Sequence, residues 1–400
     1  NDTFANDEFA AHGRFTFATG HEIGVRLRWN DSNLGIPRDY FNVPAPERHQ
    51  TRNSLELAVP ARLAWGRFEL ETQVARTTSD LQLVDPGNPF DRSSAESQSE
   101  QGRAVVSFRP WAGLWLGGGA DWERQQASTG SAFGPGLKDH HQRTAGLFGQ
   151  AGWALGQWRF DAGLRRDDND AFGAETTTKF GAVWRGTNGV RVRGSYGEGF
   201  HAPTLADLYF PGFSNPDLSP EQSASTELAV ELGSGPWQGS VALFSTDFTD
   251  LIQFDFVTFT PFNTGRARSR GVELEWGFTS PSWSLQGNGT YLEAEDRASG
   301  DRLLLRPRES ANLIATFRPV VGPQRFTLHT VARFVGERAD FGADLPSYST
   351  VEVGAAWHPA QVSWLETYAR VENALDREYE EVATFPAPGR RWVVGLGGRF

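Results

Sequence analysis

Hydrophobic and polar positions alternate with period two along most of this chain. Ile23, Val25, Leu27 and Trp29 alternate with Gly24, Arg26, Arg28 and Asn30. Leu55, Leu57 and Val59 alternate with Ser54, Glu56 and Ala58, and Phe68, Leu70, Thr72 and Val74 with Arg67, Glu69, Glu71 and Gln73. The pattern recurs over 158–165, 190–196, 311–317 and 325–334. Period two is the mark of a strand whose two faces meet different surroundings. Roughly nineteen strands are expected, at about 7–19, 21–32, 52–65, 66–80, 98–110, 112–128, 141–156, 157–170, 176–186, 190–200, 223–235, 237–254, 264–278, 283–296, 309–319, 325–337, 349–359, 362–376 and 391–400. A soluble sandwich also alternates. Here the polar face carries heavy charge over many strands, and no helix is expected to cover either face.

Connection length alternates too. Short links fall near Gly20, Gly66, Pro110, Gly156, Thr187, Gly235, Pro281, Gly322 and Pro359. Long ones span about 33–51, 81–97, 129–140, 201–222, 255–263, 297–308, 338–348 and 377–390. Outer-membrane barrels have short periplasmic turns and long extracellular loops. Nine of the fourteen tryptophans (65, 111, 153, 158, 184, 237, 283, 357 and 364) lie beside short links, as an aromatic girdle at one membrane interface would place them. The fold class expected is all-β: a transmembrane antiparallel β-barrel, with residues 1–400 forming one barrel domain. No apolar run approaches the roughly 18 residues of a membrane helix, and alternating strands evade such a scan.

Composition narrows the function. A net charge of −11 and a pI near 5.3 argue against a nucleic-acid partner, which calls for a basic surface. No cysteine is present, which fits an exported bacterial protein without disulfides. No methionine is present either, so Asn1 is read as following processing or truncation. No nucleophile-and-base arrangement and no phosphate-cradling glycine loop stands out, so no enzyme is expected.

The stretch 194–276 carries a resemblance. Its residues are Tyr196-Gly197-Glu198-Gly199-Phe200, Ala202-Pro203, Asn215-Pro216-Asp217-Leu218, Pro220-Glu221, Glu227-Leu228, Asp250-Leu251-Ile252, Asn263, Gly265, Ala267-Arg268 and Gly271-Val272-Glu273. In this order they resemble the C-terminal half of the barrel of TonB-dependent outer-membrane transporters, most closely the cobalamin-transporter branch. The segment Val371–Glu380, the segment Phe385–Arg390 and the last strand ending at Phe400 resemble that family's final strands and assembly signal; Gly398 stands where an apolar residue is expected. The segment 6–31 looks like the family's fourth and fifth strands. The resemblance implies a 22-stranded barrel with an N-terminal plug, neither the plug nor the first three strands being visible here. It implies as partners those missing parts, supplied by a second chain or an upstream segment, a TonB-type energy transducer, and outer-membrane lipid with lipopolysaccharide. It also implies a Gram-negative outer membrane as the location, and uptake of a bulky, scarce nutrient, cobalamin or a metal chelate such as a siderophore. A plug-less passive channel and an assembly scaffold stay open beside it.

Candidate ligand contacts lie in two long loops. One holds Tyr209, Phe210, Phe213 and Asn215; the other holds Asp255, Phe256, Phe259 and Phe262. Apolar area with a few placed polar groups suits a bulky ligand, and packing of the loops on each other is the structural alternative. No cofactor is certain. Some cobalamin transporters hold calcium between aspartates of neighbouring loops, and the corresponding residues here are Asp31, Asp39, Asp85 and Asp91. These are sparse for an ion that takes 6–8 oxygens. Arg26, Arg28, Arg165, Arg191, Arg193 and Arg333 are expected to face inward, chiefly as wall residues paired with carboxylates such as Glu56, Glu69, Glu71 and Asp161 across strands. Asp139-His140-His141 is a weak metal signal, because adjacent side chains of an extended segment point to opposite faces.

Overall fold

The computed structural model describes residues 3–398, except 40–42, 133, 135, 256, 257, 341, 363 and the side chain of residue 264. Its frame is one antiparallel sheet of twenty strands. One of these, Val320–Val321, is only a turn arm. The others run as a meander. They are β1 (Phe4–Thr16), β2 (Glu22–Gly35), β3 (His49–Trp65), β4 (Phe68–Val84), β5 (Arg92–Phe108), β6 (Leu114–Ser131), β7 (His140–Leu155), β8 (Trp158–Asn169), β9 (Gly173–Arg185), β10 (Val190–His201), β11 (Glu221–Ser234), β12 (Trp237–Asp255), β13 (Thr260–Thr279), β14 (Trp283–Asp296) and β15 (Glu309–Phe317). Four closing strands follow: Gln324–Val335, Tyr348–His358, Leu365–Glu372 and Arg391–Gly398. Each pairs with its sequence neighbours. Among the described residues β1 pairs only with β2, and Arg391–Gly398 only with Leu365–Glu372. The terminal Phe400 lies outside the described residues.

The expected strands are all present, and several run further than their hydrophobic pattern. β5 begins at Arg92, not near 98, and β13 at Thr260, not near 264. The added residues of β5 (Arg92-Ser93-Ser94-Ala95-Glu96-Ser97) are mostly polar on both faces. Above a membrane both faces meet water, so alternation fades while the backbone ladder continues. The connection 81–97 therefore shrinks to 85–91, and 255–263 to 256–259.

The opposite end is tightly turned. Gly66, Gly156 and Gly235 each open a two-residue link, with φ near +59°, +59° and +58°. Their second residues (Arg67, Gln157 and Pro236) have no positive φ. That is the type II′ hairpin turn, whose first position favours glycine and whose twist matches the strands. Of the nine girdle tryptophans, all except Trp184 are exposed large side chains.

One face of the sheet is concave and charged. His12, Arg26, Arg62, Gln73, Arg103 and Gln150 come from six strands and line a single cavity of about 700 Å³. A second cavity of about 980 Å³ lies along β10–β15, with Arg191, Arg193, Glu227, Glu231 and Glu275 on it. The inward arginines are wall residues here. Arg28 meets Glu8 at 3.0 Å, Arg193 meets Glu227 at 2.8 Å, Arg191 pairs with Glu231, and Arg333 reaches Glu381 at 3.5 Å. Arg62 selects Glu69 at 2.6 Å although Glu71 is its register partner. Arg165 donates to Asp121 at 2.7 Å from each of two nitrogens, and from Nε to the buried Asp167 at 2.7 Å. A Cβ on Gly146 would run into this group. Gly146→Val is expected to cost about 1–3 kcal/mol, the scale of overpacked sites. It should lower the temperature at which the detergent-solubilised barrel loses its compact gel migration; an unchanged transition would mean that this cluster does not stiffen the wall.

Candidate functional site

The long connection between β10 and β11 folds into a strap. Thr204 caps a single helical turn, α1 (Leu205–Tyr209): its hydroxyl accepts from the Asp207 N–H at 3.1 Å, while the Asp207 carboxylate accepts from the Thr204 N–H at 2.9 Å. This reciprocal capping box satisfies donors that a short helix leaves open. Hydrophobic periodicity gives no sign of the five-residue helix. Its sequence signal is Thr204 three residues before Asp207.

The strap has its own core. Leu208 and Pro203 of the strap, with Leu137 of the β6–β7 connection, are the largest fully buried side chains, and Leu205, Leu218 and Pro220 of the strap are buried as well. Most barrel residues show one face to lipid and one to the lumen, so the largest fully buried side chains fall outside the wall.

Both ends of the strap are pinned. At one end the Tyr209 ring stacks on His140, with centroids 4.6 Å apart and planes at 8°. His140 shares the face of β7 that carries Gln142, Phe148 and Gln150, and Gln150 lines the concave cavity. The strap therefore sits on the lumenal side of the wall, where Gln142 and its partner Asn169 are buried, 3.3 Å apart. At the other end Asn263 of β13 holds the chain. Its Oδ1 accepts from the Ser219 N–H at 2.8 Å, and its Nδ2 donates to Ser219 O at 2.8 Å and Asp250 O at 2.7 Å. The strap thus crosses the mouth from β7 to the β12–β13 hairpin.

The predicted contacts divide into two groups. Phe210, Phe213 and Phe259 form one chain of rings, with centroids 6.1 Å and 6.3 Å apart; the second pair is edge-on at 82°. Phe213 and Phe259 are about half exposed, and Phe262 on the same hairpin is exposed at 38%. The fold brings these aromatics together from two loops. Tyr209 faces His140 instead. Asn215 is engaged in scaffolding: its Nδ2 donates to Pro261 O at 3.1 Å, and its Oδ1 accepts from the Asp217 N–H at 3.0 Å. Asp255 accepts from the Thr258 hydroxyl at 2.9 Å, closing the hairpin tip. Phe256 lies outside the described residues. Asn263 enters the sequence reading only within the resemblance, and its role as a clip emerges from register.

The four aspartates do not gather as one ligand set, although the Asp85 N–H donates to Asp91 O at 3.0 Å within one turn. Asp91 is bound by Arg48 at 2.8 Å, buried Asp85 accepts from the Gly87 N–H at 2.9 Å, and Asp39 accepts from the Val43 N–H at 2.8 Å. Asp31 stands in β2 opposite Asp7 and Asn53. Among the described residues no three His, Cys, Asp or Glu side chains converge as a metal site. His140 and His141 point to opposite faces of β7.

A long antiparallel meander, glycine-opened turns at one end, a charged concave wall and an internally strapped mouth together define a large membrane-type β-barrel. Residues 1–374 match the family described as TonB dependent receptor-like, beta-barrel, and the chain belongs to that family. It is 25% identical to the Vitamin B12 transporter BtuB of Photobacterium profundum, over 95% of this chain and 64% of that protein. It is 26% identical to the Vitamin B12 transporter BtuB of Vibrio vulnificus, over 72% of this chain and 48% of that protein. The chain thus spans less than two thirds of these relatives. The crystal structure of the siderophore receptor PirA from Acinetobacter baumannii superposes with a TM-score of 0.84 at 15% identity, covering 99% of this chain and 71% of that one. At that identity the likeness is one of fold.

Loss of the Asn263 clip should free the strap. Three hydrogen bonds of about 1 kcal/mol each correspond to an open population raised by about a hundredfold in Asn263→Ala. Chymotrypsin cleavage after Tyr209, Phe210 or Phe213 in folded protein reads this directly. Equal cleavage of the parent and the variant would mean that the strap is held without Asn263.

Proposed function

We propose that this chain is the barrel wall of an energy-coupled importer in the outer membrane of a Gram-negative bacterium, and that the strapped mouth captures a bulky, scarce nutrient. The observation that carries this reading is the exposed aromatic pair of Phe213 and Phe259, with exposed Phe262 on the same hairpin, the two loops being fixed by asparagine clips. Aromatic surface held rigid before binding loses little entropy when a large ligand arrives. Family membership supports transport, and the names of the relatives support cobalamin or an iron-siderophore chelate as the cargo class.

The polar concave wall supports a further part of the reading. A lumen lined by arginine–carboxylate pairs suits a hydrated, folded occupant better than an apolar one. We propose that a plug fills it and that additional strands pair with β1 and Arg391–Gly398, whose outer backbone groups would otherwise be costly in lipid. Energy then reaches the plug from a TonB-type protein in the periplasm. In this scheme the wall houses the moving part and presents the ligand to it.

Uptake tests the scheme. Cells carrying the native protein should import radiolabelled cobalamin or a ferric siderophore only with an intact energy transducer. Phe213→Ser with Phe259→Ser should weaken capture by at least about tenfold, on the scale of removing two aromatic rings from a bound ligand. Energy-independent leakage of small solutes would favour a passive channel instead. Normal assembly with neither import nor leakage would favour a scaffold.

A further inference from the structure

The run between Arg193 and Arg266 holds nine carboxylates and not one Lys or Arg. The whole chain has 38 Lys and Arg in 400 residues, which would put about seven in a run of that length. This run includes the strap and the β12–β13 hairpin, the two loops that bring the mouth aromatics together. Six of the nine carboxylates are committed elsewhere. Glu227 and Glu231 meet Arg193 and Arg191 on the lumen wall, and Asp247 meets Arg268 at 2.6 Å. Glu198 accepts from the Thr178 and Tyr196 hydroxyls at 2.7 Å and 2.8 Å, Asp207 caps α1, and Glu221 accepts from the Ile252 N–H at 2.8 Å.

The other three stand around the aromatics. The Asp217 N–H donates to Asn215 Oδ1, and Asn215 Nδ2 holds the carbonyl of Pro261, next to Phe262. The Asp250 carbonyl accepts from the Asn263 clip at 2.7 Å. Asp255 accepts from the hydroxyl of Thr258, beside Phe259. Asp217 and Asp250 are exposed, and among the described residues neither forms an ion pair. The neighbouring cations are turned elsewhere. Arg266 shares a face of β13 with Arg268 and with exposed Val272 and Leu274, so it points to the outer surface. Arg297 and Arg302 lie 3.6 Å from Glu295 and 3.9 Å from Glu337. Arg306 and Arg308 follow Leu305, whose N–H donates to Ala339 O in the loop beyond. Lys138 lies past His140 at the other end of the strap, beside Asp139. Phe259 itself holds φ +57°, which a bulky side chain rarely adopts, and its ring stays half exposed. Backbone held in that region concentrates where ligands are gripped.

We infer that the mouth selects its cargo by charge: it takes a bulky ligand that carries net positive charge beside an apolar face, and it turns away polyanionic chelates. Aromatic faces are electronegative and attract cations. Uncompensated carboxylates beside them give the mouth a negative field, which concentrates cations and repels anions. The inference rests on the capture reading proposed above, which leaves the charge of the cargo open.

The test uses the whole protein isolated from outer membranes in uncharged detergent. Two porphyrins of matched size are the probes, one bearing N-methylpyridinium groups and the other sulfonates, and binding is read by fluorescence anisotropy. At about 10 mM salt, where screening is weak, the parent should bind the cationic porphyrin at least about tenfold more tightly than the anionic one. The gap should close toward about 1 M salt. Asp217→Asn with Asp250→Asn should shrink the preference by at least about threefold; asparagine tolerates the φ of +56° at position 250. Phe213→Ser with Phe259→Ser should weaken cationic binding by at least about tenfold, which separates the mouth from the acidic surface as a whole. Equal binding of the two porphyrins, tighter binding of the anionic one, or a preference unchanged by the aspartate substitutions would overturn charge selection while capture at the mouth stands. Cationic binding that survives the serine substitutions, or no binding of either porphyrin by the parent, would defeat the capture reading and this inference with it.

Discussion

Backbone hydrogen bonding is the constraint on which this structure depends. In hydrocarbon an unpaired N–H or C=O costs several kcal/mol, so strands survive there only in continuous ladders. The β3–β4 and β4–β5 registers run without a break from His49 to Phe108. The β12–β13 register shifts only between Phe248 and Ile252, close to the water-exposed tip. Glycine-opened turns follow from the same constraint, since a link of two residues keeps adjacent ladders in register.

Because the ladders satisfy the backbone, the side chains are left to differentiate the two surfaces. Outward positions such as Leu147, Leu164 and Leu228 are apolar and exposed. Inward positions form a net of arginines and carboxylates that a low-dielectric setting would make costly and that a hydrated lumen tolerates. Glycine adjusts this net locally. Gly146 leaves the space in which Arg165, Asp121 and Asp167 meet, and Phe148 lies within 5.4 Å and 5.7 Å of the Arg103 and Arg165 guanidiniums. The result is a rigid polar wall on which a separate small core, the strap, can be mounted.

In the strap, burial of some side chains accompanies exposure of others. Its leucines and prolines are buried, Asn215 and the Asn263 of β13 are engaged with backbone carbonyls, and the aromatics Phe213 and Phe259 stay half exposed. A loop held this way presents apolar surface to water at the mouth. The charged lumen and this mouth are both products of register.

Period two along Ile23–Asn30 or Phe68–Val74 suffices to place strands, because each face of a barrel wall meets a uniform medium and the pattern records it. Where both faces meet water, as at Arg92–Ser97, the pattern vanishes and the strand cannot be read at that end, although its backbone pairing persists. Local chemistry also speaks for the Thr204–Asp207 cap, which is written within four residues. The aromatic residues of the mouth are visible as composition, but their grouping is not: Phe213 and Phe259 lie in different loops and meet only through register and the Asn263 clip. The sequence alone determined the strand number, the faces and the class of surroundings, since these are averages over short range. Which side chains meet across the barrel was decided only by tertiary structure, because strand register converts distant positions into neighbours.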